Sequence, residues 1–281
     1  ENLKDWEHIG ELLHPDFDEE KLGVKKEEDI SCPNFFKLGD KWVLTCISHR
    51  MGCRYFIGEF KDEQYLPEYH AVIGGNSRRY FAPESLVTPD GRRVNWSWFI
   101  NGNNKDNRGT QSLPTEMRLN SNGQMRFRPI KELEALRYEK KDKNMIKIKE
   151  HSTLLIDEIK GDHCEIEVVV TNTGNSSFGI DVLCNDEGKD GLRIKVNRDK
   201  DLLEVGDQNG DFTLHQDEPL SLRIFVDAGL IEVFANEKQV VMADKKRVAG
   251  SKIEDRVVLF SSGSALVIDR LTFWKIKSAY N

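Results

Sequence analysis

Residues 222–236 read Leu-Arg-Ile-Phe-Val-Asp-Ala-Gly-Leu-Ile-Glu-Val-Phe-Ala-Asn, and this stretch decides the fold class. Residues 222–226 and 231–234 are rich in β-branched and aromatic side chains, which favour the extended backbone of a strand. Between them, Ala228 and Gly229 have the turn chemistry that reverses a chain. The pattern therefore predicts two strands joined by a short turn.

The same pattern recurs along the chain. Further strands are predicted at residues 41–48, 164–170, 192–196, 256–260 and 266–271. Turn sequences separate such segments at Pro89-Asp-Gly91, Ser121-Asn-Gly123 and Asn209-Gly210. Short strands that recur about every ten residues are typical of a β-sandwich, a barrel or a propeller. The sequence therefore predicts an all-β protein.

A change of composition near the middle predicts two domains. Residues 130–138 are the one good helix candidate, about two turns long, which we interpret as a connector. The charged run that follows, Arg137-Tyr-Glu-Lys-Lys-Asp-Lys-Asn144, is typical of a solvated linker. Aromatic residues, Gly and Pro are dense before this run, and the strands after it are longer and more regular. We expect a first domain at residues 1–137, a linker at 138–150 and a second domain at 151–281.

The overall composition excludes several classes of protein. Of the 281 residues, 38% are hydrophobic and 32% charged, and 41 basic residues against 48 acidic ones give a net charge of −7. A nucleic-acid-binding protein has a basic face, which this balance disfavours. No apolar run approaches the ~18–20 residues that a membrane-spanning helix needs. The sequence therefore predicts neither a nucleic acid nor a membrane as partner.

The cysteines favour neither a zinc site nor a disulfide framework. Their number is odd, and no Cys-x-x-Cys pair occurs. Buried free thiols are the simpler interpretation, and one bridge such as Cys46–Cys53 is the alternative. The histidines are scattered without metal-ligand spacing, so no metal or cofactor is predicted.

Four groups of motifs, in order along the chain, resemble the later part of glycoside hydrolase family 32, the invertases, levanases and inulinases that cleave β-fructosides. The groups are Asn2-Leu-Lys-Asp-Trp6 with Ser31-Cys-Pro-Asn-Phe-Phe36, Trp42-Val-Leu-Thr45 and Tyr55-Phe-Ile-Gly-Glu-Phe60; Tyr80-Phe-Ala-Pro-Glu84 with Asp90-Gly-Arg-Arg93 and Trp96-Ser-Trp98; Leu113-Pro-Thr-Glu-Met-Arg-Leu119 with residues 129–137; and residues 222–236. The resemblance spans nearly the whole chain.

This resemblance implies the last blades of a five-bladed β-propeller followed by a two-sheet β-sandwich. It also implies retaining chemistry, in which a carboxylate nucleophile and a carboxylic acid flank the scissile bond and a second Asp stabilises the transition state. In the family the nucleophile lies in an Asn-Asp-Pro motif and the stabiliser in an Arg-Asp-Pro motif. Neither tripeptide occurs in this sequence. A complete family member would need a further segment before Glu1.

The third catalytic residue is altered. The family has Glu-Cys-Pro where this chain has Ser31-Cys-Pro, and a Ser hydroxyl cannot donate a proton as a carboxylic acid does. Loss of a general acid–base typically lowers the rate by about 10²–10⁴-fold. Glu28 could replace the lost acid only if the loop before Ser31 shifted. The alternative interpretation of Ser31 is an ordinary residue at the start of a strand.

The resemblance also indicates residues for a sugar pocket. Asn34 lies where the family often has Asp, and Glu84 lies where it tends to have Gln, so each is a candidate contact to a hydroxyl. Tyr80, Trp96 and Trp98 could form the wall, since aromatic rings pack against the C–H face of a sugar. The alternative for the aromatic residues is propeller core, and for Glu84 a solvated side chain. Trp96 and Trp98 should share one strand face because they are two residues apart.

Three functions follow as hypotheses. The first is a β-fructosidase-like protein that is inactive as this chain alone, because no catalytic residue is retained and Ser31 stands at the acid/base position. The second is a carbohydrate-binding or scaffold protein, and the third is one half of a two-chain glycosidase. The expected ligand is a fructose-containing sugar or oligosaccharide. An incomplete propeller exposes strand edges and apolar side chains, so self-association or a partner chain is also predicted. The sequence does not indicate the cellular location.

Overall fold

The structure is a computed structural model that describes residues 3–76, 78–100, 109–174, 176–245 and 254–279. Asn2, from the first matching motif, lies outside these residues. The described chain is built almost entirely of antiparallel strands, which confirms the all-β prediction. They form four sheets.

The first sheet contains four consecutive strands in the order β1-β2-β3-β4. It follows a one-turn helix, α1 (Glu19–Leu22), that begins at the N-cap Asp18. The strands are β1 (Ser31–Leu38), β2 (Lys41–Ser48), β3 (Gly52–Lys61) and β4 (Gln64–Val72). One face of this sheet packs against the segment before it, where Phe17, Leu22 and Val24 are buried with Leu44, Phe56 and Tyr65.

The second sheet has the order β5-β6-β8-β9, and β7 pairs with β6 beyond the end of β8. The strands are β5 (Tyr80–Val87), β6 (Arg93–Ile100), β7 (Gly109–Gln111), β8 (Thr115–Leu119) and β9 (Met125–Pro129). The residues between β9 and the next strand form a 3₁₀ helix at Lys131–Leu136, which has no side-chain N-cap and no buried residue. The helix predicted at 130–138 is therefore shorter than expected and of the 3₁₀ type, and its apolar contact with the interior comes from partly buried residues such as Leu133.

The remaining strands form two six-stranded sheets. They are β10 (Arg137–Ile148), β11 (Thr153–Lys160), β12 (His163–Val170), β13 (Phe178–Cys184), β14 (Leu192–Asn197), β15 (Leu202–Val205), β16 (Gln208–Asp211), β17 (Leu220–Asp227), β18 (Leu230–Ala235), β19 (Gln239–Asp244), β20 (Arg256–Ser261) and β21 (Leu266–Ile276). The third sheet has the order β10-β21-β12-β17-β18-β19, and the fourth has β11-β20-β13-β14-β15-β16.

The charged run predicted as a linker is strand β10, at the edge of the third sheet and paired with β21. The prediction of a linker at 138–150 is wrong for this part of the chain. A strand that pairs on one side only can expose charged side chains, and lysines on such an edge discourage pairing with other chains. Charge density therefore marked an edge strand here.

Two large cores hold the sheets together. The first lies between the third and fourth sheets and includes Ile166, Ile180, Leu203, Ile224 and Leu259. The second lies between the first two sheets and the other face of the third sheet, where Phe225, Phe234 and Met242 contact a cluster that contains Phe36, Phe99 and Phe127. The third sheet is thus buried on both faces.

All five cysteines are free, and Cys46 and Cys53 belong to different apolar clusters. Cys53 pairs with Ile47 rather than with Cys46, so the two side chains point to opposite faces of the first sheet. A bridge between them would require a shift of one residue in the register. The interpretation as buried free thiols is confirmed for four of the cysteines, whereas Cys32 is free but exposed. No helix among the described residues is long and apolar enough to cross a membrane.

Candidate functional site

Ser31 is the first residue of β1, at a point where the strand is irregular. The register between β1 and β2 shifts between Ser31 and Asn34, and Cys32 has a φ of 49°, in the left-handed region that L-residues rarely adopt. The Ser31 hydroxyl donates to the Asp29 carboxylate, with 3.2 Å between Oγ and Oδ2. The bulge therefore directs a neutral hydroxyl toward an acidic side chain.

Asp29 is held as a carboxylate by several donors. The His49 backbone N–H donates to Oδ1 at 3.1 Å, and the His49 ring nitrogen Nδ1 lies 2.8 Å from Oδ2. These hydrogen bonds, with that from the His49 side chain strongest, lower the pKa of Asp29 to about 2. Asp29 therefore carries no proton to donate near neutral pH.

The Glu28 side chain is also held in its ionised form. Its carboxylate forms an ion pair with the Arg50 guanidinium and accepts the Ser48 hydroxyl, and its side chain is only 5% exposed. The hydrogen bond from Arg50, then that from Ser48, lowers the pKa of Glu28 below its usual value. A general acid has to titrate near the working pH, so this environment is the opposite of the one that such a group needs.

The loop that carries Glu28 and Asp29 is anchored from below by Arg54. This residue is fully buried, and its Nη2 donates to the Asp29 carbonyl oxygen at 2.6 Å. The guanidinium also lies 5.1 Å from the centre of the Phe56 ring. Arg54 thus fixes the backbone immediately before Ser31, which opposes a shift of this loop.

Asn34 joins the first sheet to the second through a chain of hydrogen bonds. Its Oδ1 accepts the Ser85 hydroxyl, and the Ser85 Oγ accepts from Arg93 Nη1 at 2.9 Å. The Arg93 guanidinium stacks 3.8 Å from the centre of the Phe36 ring. Burial without a neighbouring carboxylate lowers the pKa of Arg93 from its usual value.

Glu84, Trp96 and Trp98 lie on the other face of the second sheet. Glu84 is directly opposite Trp96 in the pairing of β5 with β6, and both side chains lie on the face away from Ser85. Trp96 is half-buried, and Trp98 is 49% exposed. The expectation that the two tryptophans share a face agrees with their alternation along β6.

Trp98 is held in place by Gly109 of β7. A Cβ atom at position 109 would lie 0.9 Å from Trp98 Nε1, so the indole occupies the space that any other side chain would need. The half-exposed ring is therefore supported from behind and presents one face to solvent.

Tyr80 is not part of this surface. It is 1% exposed and packs in the second core, where burial raises the pKa of its hydroxyl far above the ordinary value. This position agrees with the alternative interpretation of Tyr80 as a core residue and gives no support to its place in a pocket wall. A Cβ at Gly74 would lie 2.0 Å from the Tyr80 ring, which shows how closely the chain surrounds it.

The predicted site residues thus fall into two groups. Ser31 and Asn34 lie along β1, the latter in contact with Ser85, whereas Glu84, Trp96 and Trp98 form a separate surface. No hydrogen bond, ion pair or ring contact joins the two groups within the described residues.

Sequence reasoning missed Ser85, Arg93 and His49. Arg93 belongs to a quoted motif, but only the pairing of β5 with β6 reveals that it lies on the same face as Ser85. Among the described residues, no group of three or more His, Cys, Asp or Glu side chains is arranged to hold a metal ion.

Comparison with known proteins agrees with the motif resemblance. The profile of the glycosyl hydrolases family 32 N-terminal domain matches residues 1–129, and that of the family's C-terminal domain matches residues 132–275. A sucrose-6-phosphate hydrolase from Escherichia coli is 22% identical over 98% of this chain and 60% of its own length. A levanase from Bacillus subtilis is 24% identical over 99% of this chain and 46% of its own length.

Among solved structures, fructan 1-exohydrolase IIa from Cichorium intybus superposes with a TM-score of 0.74 and 18% identity, covering 89% of this chain and 62% of that one. A sucrose-6-phosphate hydrolase from Lactobacillus gasseri superposes with a TM-score of 0.71 and 18% identity, covering 89% and 55%. The chain therefore spans about half to three fifths of the length of these relatives.

Proposed function

This chain belongs to glycoside hydrolase family 32, and from that premise we propose that it binds fructose-containing sugars without hydrolysing them on its own. The similar proteins include a sucrose-6-phosphate hydrolase, a levanase and a fructan exohydrolase structure in complex with 1-kestose. These names support a β-fructoside as the class of ligand.

One observation carries the proposal of inactivity. Glu28 and Asp29, three and two residues before Ser31, are both held in the ionised form, Glu28 by Arg50 and Asp29 by His49. Neither can protonate a leaving oxygen near neutral pH, and Arg54 anchors the loop that would have to shift. The hydroxyl of Ser31 therefore has no acidic substitute beside it, and the chain contains neither the Asn-Asp-Pro nor the Arg-Asp-Pro motif.

The same premise supports a finer description of the architecture. We propose that the part of residues 1–137 before β10 forms the last blades of a five-bladed β-propeller, and that residues 151–281 together with β10 form a two-sheet sandwich. In support, the first sheet is a simple meander, as propeller blades are, and the third and fourth sheets share one core. Ser31, at the start of β1, would then lie at the mouth of the propeller axis.

Sugar binding is assigned to the exposed surface of Trp98, Trp96 and Glu84. A half-exposed indole beside a carboxylate combines a platform for the C–H face of a sugar with an acceptor for its hydroxyls. Trp98→Ala should weaken sucrose binding by about fivefold, since an aromatic contact contributes about 1 kcal/mol.

The test combines turnover and binding. The protein is incubated with sucrose, inulin and levan, and released fructose is measured; sucrose binding to the wild type, Trp98→Ala and the control Tyr138→Ala is followed by calorimetry. Tyr138 is exposed on β10, away from this surface. We expect binding without released fructose. Fructose release by this chain alone would contradict the proposed inactivity, and equal sucrose affinity of Trp98→Ala and the wild type would contradict the assigned surface.

A second candidate is one half of a two-chain glycosidase. Leu86, Val87 and Trp98 expose 49%, 55% and 49% of their surfaces on the second sheet, and β5 is an edge strand there. Exposed apolar side chains at a sheet edge favour pairing with another chain. We therefore expect self-association or capture of a partner chain, and light scattering that shows a monomer up to high concentration would argue against it.

A further inference from the structure

A groove runs along the seam where β9 of the second sheet meets the third sheet. It has two lobes, each with a volume of about 560 Å³, and both are lined by Arg126, Glu218 and Lys238. We call this the seam groove. The lobe lined by Tyr69 is called the outer lobe. It is also bordered by β4 and by the connection from β16 to β17, so that segments from three sheets surround it. Lobes of this volume are within the usual range of small-molecule sites.

The outer lobe contains a fixed aromatic platform. Tyr69 of β4 lines it and is 51% exposed, although large aromatic side chains are usually well covered. The Tyr69 ring lies 6.0 Å from that of Tyr55, which is itself buried. The exposed ring is therefore supported on one side by the core and open on the other.

Polar side chains without protein partners surround this platform. The Asn122 amide, the Thr213 hydroxyl and the His215 ring all line the lobe, and none of them forms a hydrogen bond or ion pair through its side chain to another described residue. They come from two separate segments, the turn between β8 and β9 and the connection that follows β16. Together they offer both donors and acceptors toward the lobe.

Most of the charged side chains that line the seam groove are paired with a side chain of opposite charge. Lys238 pairs with Glu218 at 2.6 Å, Arg128 with Glu116 at 2.7 Å, and Arg223 with Glu165 at 2.7 Å. The balance favours a neutral polar ligand over an ion.

Arg126 has no carboxylate partner among the described residues, but its Nη1 and Nη2 are occupied by the Met125 carbonyl and the Gln124 side chain. These acceptors are neutral, so Arg126 keeps its positive charge, and Asp211, which lines the same lobe, carries the opposite charge.

We propose that the seam groove is a second binding site for a neutral oligosaccharide, with Tyr69 as the stacking platform and Asn122, Thr213 and His215 as hydroxyl partners. The site is separate from the surface at Trp98, and the choice of sugar rests on the proposed function. Two sites on one molecule would hold an extended sugar chain more tightly than either alone if one chain can reach both.

The test uses 1-kestose and sucrose as probes of the whole chain, with binding measured by calorimetry. Tyr69→Ala and the double variant Asn122→Ala/His215→Ala are compared with Trp98→Ala and with the control Tyr138→Ala. Thermal unfolding of each variant verifies that the fold is intact, which the exposure of all these side chains favours. We expect Tyr69→Ala to weaken 1-kestose binding by about fivefold and to leave sucrose binding at the Trp98 surface unchanged.

Each outcome separates this inference from the proposed function. If 1-kestose binds to Tyr69→Ala and to the double variant as tightly as to the wild type, the seam groove is not a sugar site, whereas a loss of sucrose binding in Trp98→Ala would still support the proposed function. If the variants at the groove lose 1-kestose and Trp98→Ala loses nothing, the groove stands and the assignment of Trp98 is wrong. A wild-type chain that binds neither sugar overturns both.

Discussion

Glu232 is a buried carboxyl group between the third sheet and the second, and replacing it with Gln should stabilise the protein in alkaline solution. The side chain is 3% exposed, and Phe225 and Met242 are its neighbours on the adjacent strands. The Leu113 backbone N–H donates to Oε2 at 2.9 Å, whereas Oε1 has no hydrogen-bond partner among the described residues. Burial raises the pKa of Glu232 to about 8.

The sign of the effect follows from proton linkage. The pKa of Glu232 is raised above its unfolded value of 4.5, so the folded state binds the extra proton between about pH 4.5 and 8. Glu232 therefore destabilises the folded state least at low pH, where it is protonated, and the free energy of unfolding falls as pH rises through this window. At 1.36 kcal/mol per pH unit the loss is about 3 kcal/mol at pH 7 and levels off above pH 8.

Gln keeps the acceptor for Leu113 and carries no charge at any pH. Glu232→Gln should therefore match the wild type near pH 5 and exceed it by about 3 kcal/mol or more at pH 9. Urea unfolding followed by tryptophan fluorescence from pH 5 to 9 measures the difference, and Glu150→Gln, at an exposed position, is the matched control. Parallel pH profiles for Glu232→Gln and the wild type would refute the reasoning.

Three further changes test other parts of the structure. Glu165→Gln removes a fully buried carboxylate that forms ion pairs with Arg137 and Arg223, so it should lower the free energy of unfolding by about 3 kcal/mol. The control Glu187→Gln, in an exposed ion pair, should change the free energy of unfolding by less than about 0.5 kcal/mol. Equal effects of the two variants in urea unfolding would contradict this prediction. Gly179→Ala would place a Cβ 1.9 Å from the Ile194 carbonyl oxygen and should cost about 3 kcal/mol, and a variant with wild-type Tm would show that β13 and β14 are not so close. Asp29 has a lowered pKa of about 2, so its contribution to the free energy of unfolding is present above pH 4 and is lost as pH falls toward 2. The stability of Asp29→Asn should therefore depend less on pH in this range than that of the wild type. An acid titration by circular dichroism that is the same for both proteins would argue against the His49 contact.

Strands were predictable where apolar residues recurred strongly along the sequence and their side chains are buried in a core. Residues 41–48 form β2 with the predicted bounds, and residues 222–226 and 231–234 lie inside β17 and β18. The charged residues of β10 could not be assigned this way, because an edge strand that pairs with β21 need not have an apolar face. Local sequence therefore identified the strands of the cores and missed the strand at the margin.

The candidate site was predictable in composition but not in arrangement. The start of a strand was the alternative interpretation of Ser31, and the two-residue spacing of Trp96 and Trp98 predicted one shared face; the structure has both features. The sequence left Tyr80 open between core and pocket wall and could not join Asn34 to Ser85, since both depend on which strands become neighbours across sheets. Contacts between residues far apart in sequence follow from tertiary packing, and periodicity along one strand does not encode them.

The double burial of the third sheet limits how the gene can be divided. Strands β17 and β18 direct Val226 and Val233 into one core and Phe225 and Phe234 into the other. A chain cut near residue 130 would expose Phe225 and Phe234 on the second fragment and the apolar residues that they cover on the first. Both fragments would then tend to aggregate. Co-expression of the two pieces, rather than expression of either alone, is thus the route by which a split version of this molecule could remain in solution.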